Sequence, residues 1–191
     1  MEIYQKNAQK IDINYGYIGE ESLKNLDKTV HNVVNLLISK GMTISVAESC
    51  TGGLVTQLIT SVSGASQVFE MGLCAYANRI KHQLLDVPDE ELNIFGAVSS
   101  QVAISMAKGI KEKAGSDISV SVTGIAGPDG GTEKMPVGTV YIGFCYGESA
   151  ESDLLHLWEL EDRSRENIRL HTALAVFIKI EKYLQDITYN I

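Results

Sequence analysis

Cysteine, proline and tryptophan are scarce in this 191-residue chain, which contains three, three and one of them. Cys50, Cys74 and Cys145 lie far apart and form no CxxC pair, which argues against both a disulfide framework and a zinc site. Cys74 and Cys145 sit among apolar residues with strand character and are expected to be buried thiols. The low proline content, with 45% hydrophobic and 21% charged residues, excludes collagenous or disordered composition. No apolar run approaches the roughly 18 residues needed to span a bilayer, and the opening MEIYQKNAQKIDINYGYIGEE lacks a signal-peptide core. A cytoplasmic chain with no membrane partner is expected. Basic residues are outnumbered 24 to 16, giving a formal charge of −8, the wrong field for gripping a polyanion. Nucleic acid is therefore not an expected partner, although a small phosphorylated ligand needs only local positive charge.

What is present is the patterning of one α/β domain. Residues 1–22 lack periodicity and read as an N-terminal extension to a domain spanning 23–191. Leu23, Leu26, Val30, Val33, Val34, Leu37 and Ile38 recur at helical spacing, and Gly41 is placed to end that helix. Residues 43–48 read as a buried strand followed by a helix from Leu54, 69–77 as a second strand, and 78–85 as a short helix interrupted before Pro88. A helix over 99–114, capped by Ser99 or Ser100, precedes strands at 117–123 and 138–146. A strand at 154–160 leads into a final helix bearing Ile168, Leu174, Phe177 and Ile180. Helices alternating with strands early, then consecutive strands, predict an α/β/α sandwich around a mixed central sheet.

Two segments place small residues directly after buried strands, where open α/β sheets form ligand crevices. In AESCTGG (47–53), a strand ends in Glu48, Ser49, Cys50 and Thr51, and Gly52-Gly53 turns the backbone into a helix whose N–H groups face outward. The turn fits either an exposed nucleophile beside an oxyanion site or a simple Ser/Thr helix cap. In TGIAGPDGGTEKMPVG (123–138), Gly124, Gly127, Gly130 and Gly131 could form a nest for an anion, or merely a long surface loop. Neither GxxxxGK[ST] nor GxGxxG is matched, which disfavours a P-loop hydrolase. Ser49, Cys50 or Thr51 as nucleophile needs a base; His82 and Lys81 compete for that role.

These motifs together resemble the CinA C-terminal-domain family, the competence/damage-inducible group. The resemblance runs from about Leu23 to Leu184 through AESCTGG, GAS (64–66), YANRIK (76–81), GAVS (96–99), TGIAGPDGG and PVGTVY. It implies a nicotinamide-nucleotide amidase that converts nicotinamide mononucleotide to nicotinic acid mononucleotide and ammonia in pyridine-nucleotide salvage, without cofactor or metal. It further implies Ser49 as nucleophile and Lys81 as base, with Tyr76 and Asn78 holding the lysine or the substrate ring. Thr123, Gly124, Gly127 and Gly130 would line the ligand site, beside Cys50, Thr51, Gly52 and Gly53 as backbone donors. Arg165 is a candidate counter-charge for phosphate, although Arg163 and Ser164 depart from the family pattern before it. A homo-oligomer is expected. Two alternatives stay open: a cysteine amidase using Cys50 and His82, and a non-catalytic pyridine-nucleotide-binding module.

Overall fold

Apolar residues at helical spacing and β-branched runs between glycines form the elements expected of them in the computed structural model, which describes residues 20–187. A short 3-10 turn, Glu20–Asn25, leads into α1 (Leu26–Lys40), which buries Leu26, Val30, Val33, Val34 and Leu37 and ends at Gly41. The elements that follow are β1 (Ile44–Glu48), α2 (Leu54–Thr60), β2 (Phe69–Cys74), α3 (Asn78–Leu85), α4 (Asp89–Phe95) and α5 (Ser100–Ala114). After them come β3 (Ile118–Gly124), β4 (Thr139–Tyr146), β5 (Ser149–His156) and α6 (Arg165–Asp186). Most of the expected extension over 1–22 lies outside the described residues.

Among the described residues the strands form one five-stranded sheet in the order β2-β1-β3-β4-β5. β1 pairs in parallel with both β2 and β3, and β4 and β5 complete the sheet antiparallel. The mixed sheet and its helical layers agree with the architecture read from the sequence. Central strand β3 shows why its sequence alternates. Ile118, Val120 and Val122 join the larger core with α1, α2 and α6. Ser119 and Ser121 face the other way and donate to the carbonyls of Ala107 and Ala103 in α5, at 2.6 and 2.5 Å. A second apolar cluster, including Leu85, Val87, Leu92, Val102, Met106 and Ile110, seals that side. No helix among the described residues is long and apolar enough to cross a membrane.

Helix α5 approaches its neighbours more closely than a side chain would permit. A Cβ on Gly109 would lie 2.0 Å from the Leu85 carbonyl oxygen at the end of α3, and one on Gly143 of β4 would lie 2.2 Å from the Ala103 carbonyl oxygen. Both contacts are with backbone, so neither can be relieved by rotating a side chain.

Four local readings are corrected. Residues 89–95 form α4, whose first turn carries Asp89, Glu90 and Glu91 behind Pro88 at the N-cap, an arrangement that favours a helix start rather than only ending the preceding one. The last strand begins at Ser149 rather than 154, and residues 157–159 are a 3-10 turn. Its early half hides because Glu151 and Asp153 look like loop residues, yet both meet the buried Lys179 ammonium of α6, at 2.8 and 2.5 Å. Cys145 is buried as expected, but Cys74 is exposed because β2 is an edge strand.

Replacing Gly109 with alanine is expected to lower stability by about 1–3 kcal/mol through overpacking against the α3 backbone, read as a fall in Tm by circular dichroism. An unchanged Tm would mean that the α3–α5 contact is not a constraint.

Candidate active site

Strand β1 delivers Glu48 and Ser49 to the carboxyl edge of the sheet, and the Ser49 N–H still donates to the Val122 carbonyl of β3 at 2.9 Å. Glu48 then takes the capping role that one of the two readings of this turn gave to Ser or Thr. Its fully buried carboxylate accepts the N–H groups of Gly53, Val55 and Thr56 at 3.0, 3.2 and 2.8 Å, which satisfies the first turn of α2. The residue at the helix N-cap, Gly53, has φ of 93° and no side chain to offer. From α6, Arg169 donates twice to the Thr51 carbonyl, at 3.1 and 2.7 Å. The turn bearing Ser49 is thus held by β3, by Glu48 and by α6.

Lys81 reaches that turn from the other layer. The chain leaves β2 with the Ala75 N–H on the Glu48 carbonyl at 2.8 Å, then coils into α3, whose inward face carries Lys81 and Leu85. Lys81 is 1% exposed, and its Nζ lies 3.3 Å from Ser49 Oγ and 3.1 Å from the Tyr76 carbonyl oxygen, to which it donates. Among the described residues no carboxylate forms an ion pair with it. Burial therefore lowers its pKa below the ordinary lysine value of 10.5. A desolvated amine against a serine hydroxyl is a base and a nucleophile in contact.

A cavity of about 280 Å³ opens in front of this pair. Ser49, Cys50, Tyr76, Asn78 and Lys81 line one part of it, and Thr123, Gly124, Gly127, Gly130 and Arg165 line much of the remainder. Thr51, Gly52 and Gly53, expected beside the ligand, are not in its wall. The Gly52 N–H is spent on the Ser49 carbonyl and the Gly53 N–H on Glu48. Of the expected backbone donors, Cys50 alone lines the cavity. Arg165, the weakest site assignment from sequence, opens α6 and donates to the Gly127 carbonyl at 2.7 Å and to the Tyr76 hydroxyl at 3.2 Å. Sequence reasoning missed Glu48, which the strand-end position could have flagged, and, in the cavity wall, Ala97, Val98, Ile125, Ala126 and Asp129. Thr123 Oγ1 donates to the Ala97 carbonyl at 2.6 Å, which anchors the 96–99 loop that brings Val98 there. A second depression, of about 420 Å³ and lined by Thr60, Val62, Gly64, Ala65, Ser66 and Phe69, carries no titratable side chain.

The geometry does not support a Cys50–His82 pair. Burial pushes the Cys50 thiol up to about 12, so it is neutral near pH 7. His82 is exposed, its Nδ1 donates to the Val87 carbonyl at 2.9 Å, and it is absent from the cavity wall.

A protein-family model described as the CinA C-terminal domain matches residues 26–184. The chain belongs to this family. It is 48% identical over 164 residues to a CinA-like protein of Dictyoglomus turgidum, covering 85% of this chain and 37% of that protein. It is 52% identical over 141 residues to a CinA-like protein of Kosmotoga olearia, covering 73% and 32%. The chain thus spans about a third of the length of these curated relatives. Among solved structures it is similar to the competence/damage inducible protein CihA of Agrobacterium tumefaciens, with a TM-score of 0.78, 33% identity, and coverage of 84% of this chain and 96% of that one. A CinA superfamily protein of Escherichia coli matches with a TM-score of 0.75, 25% identity, and coverage of 90% and 97%. The CinA resemblance carried by the sequence motifs is borne out, and so is the fold.

Two outcomes are expected from this CinA-family site. Folding lowers the Lys81 pKa, so its charge is a cost that is full at low pH and disappears as pH rises through 10.5, where the unfolded lysine also becomes neutral. Wild-type stability relative to Lys81→Met should therefore rise with pH between neutrality and 10.5, measured by paired urea titrations. A pH-independent difference would show that the ammonium is not desolvated. Iodoacetamide near pH 7.5 should alkylate exposed Cys74 before buried Cys50, as read by peptide mass spectrometry; faster labelling of Cys50 would revive the thiolate mechanism.

Proposed function

We propose that this chain is a serine-lysine amidase that hydrolyses the carboxamide of nicotinamide mononucleotide to nicotinic acid mononucleotide and ammonia. One observation carries the chemistry: a 1% exposed lysine, with no carboxylate among the described residues to hold its proton, sits 3.3 Å from a serine hydroxyl at the edge of an open cavity. A structural lysine would be paired, as Lys179 is with Glu151 and Asp153. The choice of amide rests on the motif resemblance to CinA-family amidases, and the glycine-rich wall and Arg165 are compatible with a small nucleotide.

In this reading, neutral Lys81 accepts the Ser49 proton as Oγ attacks the carboxamide carbon. The oxyanion takes a backbone donor from Cys50, which lines the cavity beside Ser49; such a donor is worth about 3 kcal/mol in comparable sites. The Lys81 ammonium then protonates the departing nitrogen, the C–N bond breaks, and ammonia leaves an ester on Ser49. Water attacks that ester with Lys81 again taking a proton, and Ser49 recovers its hydrogen as the carboxylate departs. The Tyr76 carbonyl keeps Nζ aimed at Oγ throughout, and Arg165 offers a cation to the phosphate.

The deciding experiment incubates the purified chain with nicotinamide mononucleotide in EDTA and follows ammonia together with the nucleotide product. Both should appear in equal amounts, and Ser49→Ala and Lys81→Ala should each lower kcat by about 10³-fold or more while the folded signal in circular dichroism is kept. The kcat/KM profile should rise with pH as free Lys81 loses its proton, with a midpoint below 10.5. Ligand binding without ammonia release would instead favour the non-catalytic module. Activity surviving in Lys81→Ala would eliminate the serine-lysine scheme.

A further inference from the structure

The cavity in front of Ser49 holds charges of both signs, and one of them has no structural work. Asp129 is the only carboxylate among its described lining residues. It sits in the segment between Gly127 and Gly130, and Arg165 ties the base of that segment to α6 through the Gly127 carbonyl at 2.7 Å. Asp129 itself makes no hydrogen bond or ion pair with any described residue. Its substitution therefore removes a charge from the cavity without removing a bond from the fold.

A carboxylate is a liability where a phosphate must also enter, because like charges in a confined cleft repel. A carboxylate can also accept from ribose hydroxyls, but that role does not depend on the charge of the ring, so it is separable by ligands that differ in ring charge alone. An aspartate in this place has a use if part of the ligand is cationic. The proposed substrate meets that condition: its ring nitrogen is alkylated by ribose and positively charged, and it lies between the carboxamide that must reach Ser49 and the phosphate. We infer that Asp129 pairs with the cationic ring, so that the site selects N-substituted pyridinium carboxamides over uncharged ring amides of similar shape. Arg165 is then left for the phosphate.

This inference rests on the nucleotide reading above, and its test separates the two. Ser49→Ala removes turnover, so binding is measured alone, by calorimetric titration with nicotinamide mononucleotide and with its 1,4-dihydro form. The second ligand keeps carboxamide, ribose and phosphate but lacks the ring charge. Ser49→Ala should bind the charged form about fivefold more tightly, and adding Asp129→Asn should erase most of that preference. Equal binding of the two forms by Ser49→Ala, or an undiminished preference after Asp129→Asn, overturns the role of Asp129 and leaves the substrate reading intact. Equal weakening of both ligands by Asp129→Asn also overturns it, since a loop disturbance does not distinguish ring charge. If neither form binds, the substrate reading falls together with the inference.

Discussion

Everything at the site depends on keeping the Lys81 amine away from water and from any acid. Among the described residues, an ammonium group in that position offsets its desolvation with two hydrogen-bond partners, the Ser49 hydroxyl and the Tyr76 carbonyl. Neither carries a charge, so burial holds the Lys81 pKa below the ordinary lysine value. Adding one carboxylate at this place would convert a base into a salt bridge, which is the arrangement Lys179 adopts elsewhere in the same chain. Lys81 and Lys179 differ in their neighbours, not in their burial, and that difference separates an amine with no ion pair among the described residues from an ammonium held by two carboxylates.

The fold serves this constraint by bringing its two halves of the site from different layers. Ser49 comes from the sheet, fixed by Val122 and by the carboxylate of Glu48. Lys81 comes from α3, and α3 is positioned by a backbone-to-backbone approach at Gly109 that no larger residue tolerates. The serines of β3 draw α5 onto the sheet through its carbonyls, so the layer that carries Lys81 is set at a defined height above the layer that carries Ser49. Precision at the reacting atoms therefore begins in contacts that never touch a ligand.

Much of this was legible in the sequence because it is written in short-range pattern. The apolar stripe of α1 and the β-branched core of β1 announced the layered fold; local pattern left Lys81 and His82 in competition, and it was the family resemblance carried by AESCTGG, YANRIK and TGIAGPDGG that implied the Ser49–Lys81 pair. What escaped is set by partners distant along the chain. The acidic face of β5 reads as loop until Lys179 is seen to meet it, and the exposure of Cys74 follows from β2 being an edge, a property of strand order rather than of local sequence. The turn after β1 was read as offering its N–H groups to a ligand; Glu48 and the Ser49 carbonyl take two of them first, because an internal acceptor that folds with the helix competes with any ligand that arrives later. Charge alone did not reveal Asp129, since an aspartate among glycines is ordinary turn chemistry.

The reach of α6 into the site has a consequence for how the protein is made. By the time Tyr146 has been synthesised, the chain already contains Ser49, Lys81 and the glycine-rich loop. Yet the Thr51 carbonyl is gripped by Arg169, and the cavity wall and its Gly127 anchor need Arg165. A nascent chain that lacks α6 thus carries Ser49 and Lys81 without the Arg169 and Arg165 contacts that organise the turn and the cavity, so the site is assembled only after this helix has been added.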